Sequence, residues 1–458
     1  MKKSIRTILA TALTLCMLAA CAIPALAAMD TADAVSHATP SAGAYGSPAA
    51  DTSVSEFPVE LDLSISGRDA SGEYDASNAV TLTPEDDLNI TEEGVYILSG
   101  TYENKMIVVE AGKEDKVQLV LQNAVLTNAD GPAIYVRSAD KVFLTATEGT
   151  ENTISDGSGY SLSDGDTELD AAVWSREDLT INGAGKLTIN GNTKHAVVSK
   201  DDLVVTSKDL TVKAVNSGLN GKDSVKLSEA AVSITAGSDG IRSENTEDAS
   251  HGFISVSDST LAIVAGSDGI QASGKVVFSG GTADIRGKEG IEGTYILITG
   301  GEITIQASDD GINAARKLSG VTPTVEITGG TITITMGAGD TDGIDSNGNI
   351  IITGGTISVN GNSAFDYDGS AVFTGGTVYI NGQQVTTLPN QMMGGGMGNG
   401  FGGRGEQGGF AGAPGGQGGF LGRPNGQDGF TGEPDGQNGF GRQGTPGGFG
   451  GGHGKHGT

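Results

Sequence analysis

The stretch TDGIDSNGNIIITGGTISVNG, residues 341–361, contains one whole unit of the pattern from which the middle of the chain is built. It opens on Asp342-Gly343-Ile344 and continues through the apolar run Ile350-Ile351-Ile352. It then turns at Gly354-Gly355 and closes on the alternating Ile357-Ser358-Val359. Its acidic opening, GDTDGIDSNGN (339–349), invites comparison with a helix-loop-helix calcium loop. That loop needs ligands at positions 1, 3 and 5, Gly at 6 and Glu at 12. Counting from Asp340 puts Ile344 at 5, Asp345 at 6 and Ile351 at 12, so that reading fails.

The tripeptide recurs. Asp239-Gly240-Ile241, Asp268-Gly269-Ile270, Glu289-Gly290-Ile291 and Asp310-Gly311-Ile312 precede Asp342-Gly343-Ile344. Ser217-Gly218-Leu219 and Ser363-Ala364-Phe365 are weaker copies at either end. The steps from residue 218 are 22, 29, 21, 21, 32 and 21, a base period of 21 or 22 with insertions at 244–252 and 317–324. Each unit carries two apolar triplets, such as Ile296-Leu297-Ile298 and Ile303-Thr304-Ile305, joined by a glycine pair such as Gly300-Gly301. Outer apolar residues around a polar centre are the period-2 signature of a strand with one buried face.

Such a unit cannot bury its apolar face alone, so units must stack. A propeller blade needs about 40 residues and four strands, and leucine-rich repeats need Leu and Asn at fixed places. The pattern predicts an all-β parallel β-helix, single-stranded, with three short strands per coil, from about residue 80 to 385. Earlier coils are legible at Leu119-Val120-Leu121, Val142-Phe143-Leu144 and Leu187-Thr188-Ile189.

The ends differ in composition. Met1-Lys2-Lys3 and Arg6 precede an apolar Ile8–Ala20, a segment too short for a stable membrane span. Residues 1–27 read as an export signal, with Ala25-Leu26-Ala27 as the cleavage site. Leu18-Ala19-Ala20-Cys21 is the competing lipobox, which would leave Cys21 acylated and the protein on the cell surface. Residues 28–58 read as a flexible linker and 59–386 as the β-helical domain. From Phe401 to the end, Phe recurs at 401, 410, 420, 430, 440 and 449 among Gly, Pro and Gln. Residues 387–458 are expected to be disordered, because they offer too little apolar surface to offset the entropy of ordering.

The formal charge is -29, from 27 basic and 56 acidic residues, which excludes nucleic acid and anionic lipid as direct partners. Cys16 and Cys21 are the two cysteines, both in the leader, so no disulfide or thiol site is expected in the mature chain. A monomer is expected.

Stacking turns the repeat into ladders. One column runs Asp239, Asp268, Glu289, Asp310 and Asp342. Its neighbour runs Asn220, Arg242, Gln271, Glu292, Asn313, Asp345 and Asp366. Asp309, Asp340 and Asp368 add acids toward the C-terminal end. Two carboxylates about 5 Å apart repel by roughly 0.8 kcal/mol in water and about 3 kcal/mol near a protein surface. Ca2+, which takes oxygen ligands at about 2.3–2.6 Å, would offset this. Magnesium demands a tighter octahedron, and zinc has few His and no Cys here to use. Asp, Asn and Gly are also ordinary turn formers, which is the structural alternative.

The segments SDDGIN (308–313), EGIEGTYILITGGEITIQA (289–307) and residues 341–361 resemble the secreted bacterial carbohydrate-binding β-helix family. The resemblance covers about 60–385. It implies a right-handed, pectate-lyase-like fold with calcium between coils. It also implies binding of cellulose and acidic plant polysaccharides such as polygalacturonate, without established cleavage. Asp310, Asp342, Asp345 and Asp366 match its calcium pattern, whereas Ser217 and Ser363 depart from it.

Three functions remain open on sequence. The first is an extracellular calcium-dependent carbohydrate-binding protein, with Trp174, Tyr295 or Tyr379 as exposed stacking platforms. The second is a calcium-dependent polysaccharide lyase, for which Arg242, Lys288, Arg316 and Lys317 lie near the ladder. The third is a structural adhesin whose tail makes the contact. A lyase base needs a lowered pKa, and nothing in the sequence shows such tuning.

Overall fold

Ile350 and Ile352 are fully buried on one side of their strand, and Ile357 and Val359 do the same seven residues later. This alternation is the unit from which the protein is built. The computed structural model describes residues 57–86, 88–161, 168–338 and 341–390. The expected leader, nearly all of the linker, most of the tail, Cys21 and Asp340 lie outside the described residues.

The described residues form a 24-stranded sheet and a 12-stranded sheet. The larger contains two parallel ladders, joined through the long strand Lys116–Asn128, which pairs with both Lys141–Ala146 and Glu151–Asp156. The first ladder runs from Val80–Leu82 to Ala371–Phe373, and the second from Glu151–Asp156 to Thr377–Ile380. The smaller sheet is the third ladder, from Asn89–Ile90 to Ser363–Tyr367. Successive units therefore stack in register, as in Ile241↔Ile270, Ile270↔Ile291 and Ile291↔Ile312. One apolar core runs along the stack from Leu82 to Val378.

The acidic tripeptides lie within or directly against strands of the third ladder, as in Asp268–Ala272, Glu289–Gly293 and Asp342–Ser346. Their glycine has a packing cause. A Cβ on Gly269 would lie 2.2 Å from Cγ2 of Ile285 in the core, and one on Gly311 would lie 2.4 Å from the carbonyl oxygen of Gly343. The glycine pairs have a conformational cause: Gly301 sits at φ 92°, a region that side chains disfavour.

Two features close the structure. Asn381-Gly382 turns at φ 50° and 76°, and Gln383–Val385 returns antiparallel along Thr377–Ile380, covering an edge of the second ladder. At the other end, residues 57–78 run as a strap across the outward face of the first ladder. Phe57 packs edge-on against Tyr295 at 5.7 Å. The Arg68 guanidinium lies 4.4 Å over the Phe143 ring. Asp69 pairs with Lys141 at 2.9 Å and accepts a hydrogen bond from Thr180. Gln118 then donates to the Glu73 carbonyl at 3.1 Å. The strap therefore crosses the rungs in the opposite order to the chain that built them.

Candidate functional site

The outward column of the third ladder can be followed rung by rung. It passes through Val108, Tyr135, Trp174, Val198, Asn220, Arg242, Gln271, Glu292, Asn313, Asp345 and Asp366. It is apolar at one end, basic and amide-bearing in the middle, and acidic at the other end.

The acidic part forms two groups. In the first, carboxylate oxygens of Asp268, Glu289 and Glu292 lie within 4.8 Å of one another. Asn313 donates Nδ2 to Glu289 Oε2 at 3.1 Å, and Lys317 Nζ pairs with Glu292 Oε2 at 2.7 Å. Burial, followed by the Glu292 and Asp268 charges, pushes Glu289 up to about 7. Burial, followed by Glu292, raises Asp268 as well. In the second group, Asp310 accepts from the Asp342 N–H at 3.2 Å, and Ser363 Oγ donates to Asp342. Burial pushes Asp345 up to about 7, with Asp310, Asp366 and Asp342 adding to it. Burial likewise raises Asp310 to about 6. Three buried oxygens on this column accept no hydrogen bond among the described residues: Gln271 Oε1, Asn313 Oδ1 and Asp366 Oδ1. Orphaned acceptors beside crowded carboxylates have the donor chemistry of a hard cation site.

Not every residue singled out from sequence joins these groups. Asp309 turns to Lys288, which it meets at 2.8 Å, and Asp368 is exposed. Glu292, seen in sequence only as a column member, belongs to the first group. Two of the three candidate stacking platforms are buried. Trp174 is 1% exposed and Tyr295 3%. Trp174 sits in a small outer core with Tyr135, Leu169, Ala171 and Val198, on which Tyr160 and Met106 pack. Tyr160 packs over it, and its hydroxyl donates to Asp156 at 2.7 Å. Tyr295 is covered by Phe57, and its hydroxyl donates to Glu326. Tyr379 is half-buried.

The candidate bases are also committed elsewhere. Asp309 raises the Lys288 pKa, the opposite of what a base needs. Arg316 donates to the Asn347 carbonyl at 3.0 Å. Among the described residues, the lysine whose pKa is lowered, by burial, is Lys275, whose ammonium lies 4.9 Å over the Tyr295 ring and 5.2 Å over that of Phe57, which is distant in sequence.

Comparison with known proteins adds a family. A solved structure described as the polysaccharide lyase-like protein from C. thermocellum, a gadolinium derivative, has 29% identity and a TM-score of 0.39, covering 62% of this chain and 89% of that one. A carbohydrate-binding domain-containing protein of Acetivibrio thermocellus is 38% identical over 131 residues, 28% of this chain. The match spans 46% of that curated relative's length. The family model of the carbohydrate-binding domain-containing proteins matches residues 84–338 and 288–385, most of the described region, and the chain belongs to that family.

Proposed function

We propose that the protein is an exported, calcium-dependent carbohydrate-binding module. In this reading it is a right-handed β-helix that holds acidic or cell-wall polysaccharide, such as polygalacturonate or cellulose, without cleaving it. The observation that carries the reading is the acidic column with its three unpartnered buried oxygens. Asp268, Glu289, Glu292 and Asn313 would hold one cation, and Asp310, Asp342, Asp345 and Asp366 another. Bound there, the cation supplies positive charge to which a uronate carboxylate can be drawn on a chain of charge -29. The residues themselves present an all-oxygen donor set, and the carboxylate pKa values are raised first by burial and then by neighbouring acidic charges, both of which a bound cation would offset. The ion-paired state of Lys288 supports binding over lyase chemistry.

The test is binding of polygalacturonate and cellulose by the purified protein, with calcium and with a chelator. Ultraviolet absorbance of unsaturated uronate product would be followed in parallel. Calcium-dependent binding with flat absorbance is expected. Rising absorbance would make the protein a lyase, and binding unaffected by the chelator would remove calcium from the reading.

A further inference from the structure

The middle of the third ladder carries the opposite charge. Ser175 and Ser199 are register partners, as are Ser199 and Gly221, so the residues that follow them, Arg176, Lys200 and Lys222, stack as a column of three cations on consecutive rungs. The backbone confirms the stacking: Arg176 N–H donates to the Val136 carbonyl, Lys200 N–H to Ser175, and Lys222 N–H to Ser199. Rungs are about 4.8 Å apart, close enough for like charges on neighbouring rungs to repel one another.

Lys200 and Lys222 line a cavity of about 240 Å³ whose floor is the column residues Val198, Asn220 and Arg242. The other charged liners are mutually engaged. Lys194 pairs with Asp170 at 2.7 Å, and Arg242 pairs with Glu244 and lies 3.6 Å from Asp239. His195 is buried at the cavity wall, accepting from the Ser217 N–H at 3.3 Å through Nδ1, which leaves Nε2 as its donor. Its Nε2 lies 3.6 Å from Asp170. Lys200 and Lys222 have no ion pair among the described residues; Lys200 instead lies 5.5 Å over the Trp174 ring. Asp201 and Asp223, their neighbours in sequence, do not line the cavity. Four cations thus face two carboxylates, Asp170 and Glu244, and the two uncommitted cations sit side by side.

We infer that this cavity is an anion subsite that takes the carboxylate of one acidic sugar residue, held by Lys200 and Lys222 with Asn220 and His195 available to its hydroxyls. The inference rests on the carbohydrate-binding reading but not on calcium. The volume falls below the roughly 300–1,000 Å³ of pockets for drug-sized ligands, which suits a single ring. Ammonium–carboxylate hydrogen bonds are about twice as strong as neutral ones, and two on one group specify an acid over its neutral analogue. The ladder that offers a cation-holding set at one end therefore offers anion-holding groups two rungs away.

The test is calorimetric titration of the full chain with a galacturonate trimer, and with the neutral galactose trimer, in chelator at low salt. The acidic trimer is expected to bind and the neutral one to bind at least about tenfold more weakly. The Lys200→Gln/Lys222→Gln double variant should lose about tenfold or more in affinity for the acidic trimer while its melting temperature holds. The chain has one tryptophan, so Trp174 emission, shifted as Lys200 is drawn from its ring, is a second readout that the double variant should abolish. Unchanged affinity in the variant would overturn the inference. Inorganic phosphate displacing the trimer at equal concentration would reassign the cavity to small anions. Binding that requires calcium and vanishes in chelator would leave the acidic column as the sugar site and defeat this one. Binding in chelator to which calcium adds nothing would do the reverse.

Discussion

Gly269 stands so close to Ile285 that the Cβ it lacks would lie 2.2 Å from the isoleucine Cγ2. Gly290 and Gly311 stand in the same relation to Ile305 and Ile334. The Gly269→Ala substitution should therefore destabilise the protein by about 1–3 kcal/mol, through overpacking rather than backbone strain. Denaturant unfolding measures it. An unchanged midpoint would mean that Ile285 yields freely.

Calcium-free stability should fall as pH rises. Glu289 and Asp345 have folded pKa values of about 7, against about 4 in an unfolded chain. The native state binds more protons between these values, so the contribution is present in full below about pH 4 and is lost as pH rises through about 7. Melting temperatures at pH 5 and pH 8 with chelator test the sign. Added calcium should reverse the trend, because it binds the deprotonated carboxylates of the native state.

The strap should matter to stability out of proportion to its length. Burial works against ionisation of Asp69, yet hydrogen bonds from Ser66 and Thr180 and the Lys141 ammonium hold its pKa below the usual carboxylate value. The Asp69→Ala substitution leaves Lys141 with a partner only in Asp178, 3.9 Å away, and should cost about 3 kcal/mol or more. Asp69's contribution is fully present above the unfolded pKa and lost on acidification, so the gap between wild type and variant should narrow below pH 4.

Acrylamide should quench Trp174 weakly in the native protein, since the indole is 1% exposed. Strong quenching would mean that Tyr160 and Leu169 move off the indole, restoring the ring as a surface for sugar stacking.

Much of this was legible from period and alternation. The triplets Ile296-Leu297-Ile298 and Ile303-Thr304-Ile305 fall in the strands Tyr295–Ile298 and Glu302–Ala307. The acidic columns follow because register converts sequence period into spatial neighbours. Three things were not legible. Trp174 was expected on the surface because nothing local shows that Tyr160 and Leu169 fold back over it. The glycine of each tripeptide looked like a turn residue, whereas its cause is a core isoleucine in the second-ladder strand that closes the same unit. The cation column went unread because each of its members is followed by an acid: Arg176-Glu177, Lys200-Asp201, Lys222-Asp223. In sequence these look neutralised, and only the cavity lining separates the two signs. The Asn381-Gly382 hairpin, by contrast, carries a plain local signal.

The strap also fixes where the chain enters. Because Phe57 packs on Tyr295, on the tenth of the thirteen rungs of the first ladder, while Val80–Leu82 lies on the first, the described chain begins well along the stack and doubles back to its start before coiling begins. Tension applied through the residues preceding Phe57 would be borne on the flank of the solenoid, at its tenth rung, rather than at its first. It would be spread over several rungs through Arg68, Asp69 and Gln118 before reaching the first coil. A tether attached there would present the long flanks of the stack, with their adjoining basic and acidic stretches, to whatever polymer lies alongside.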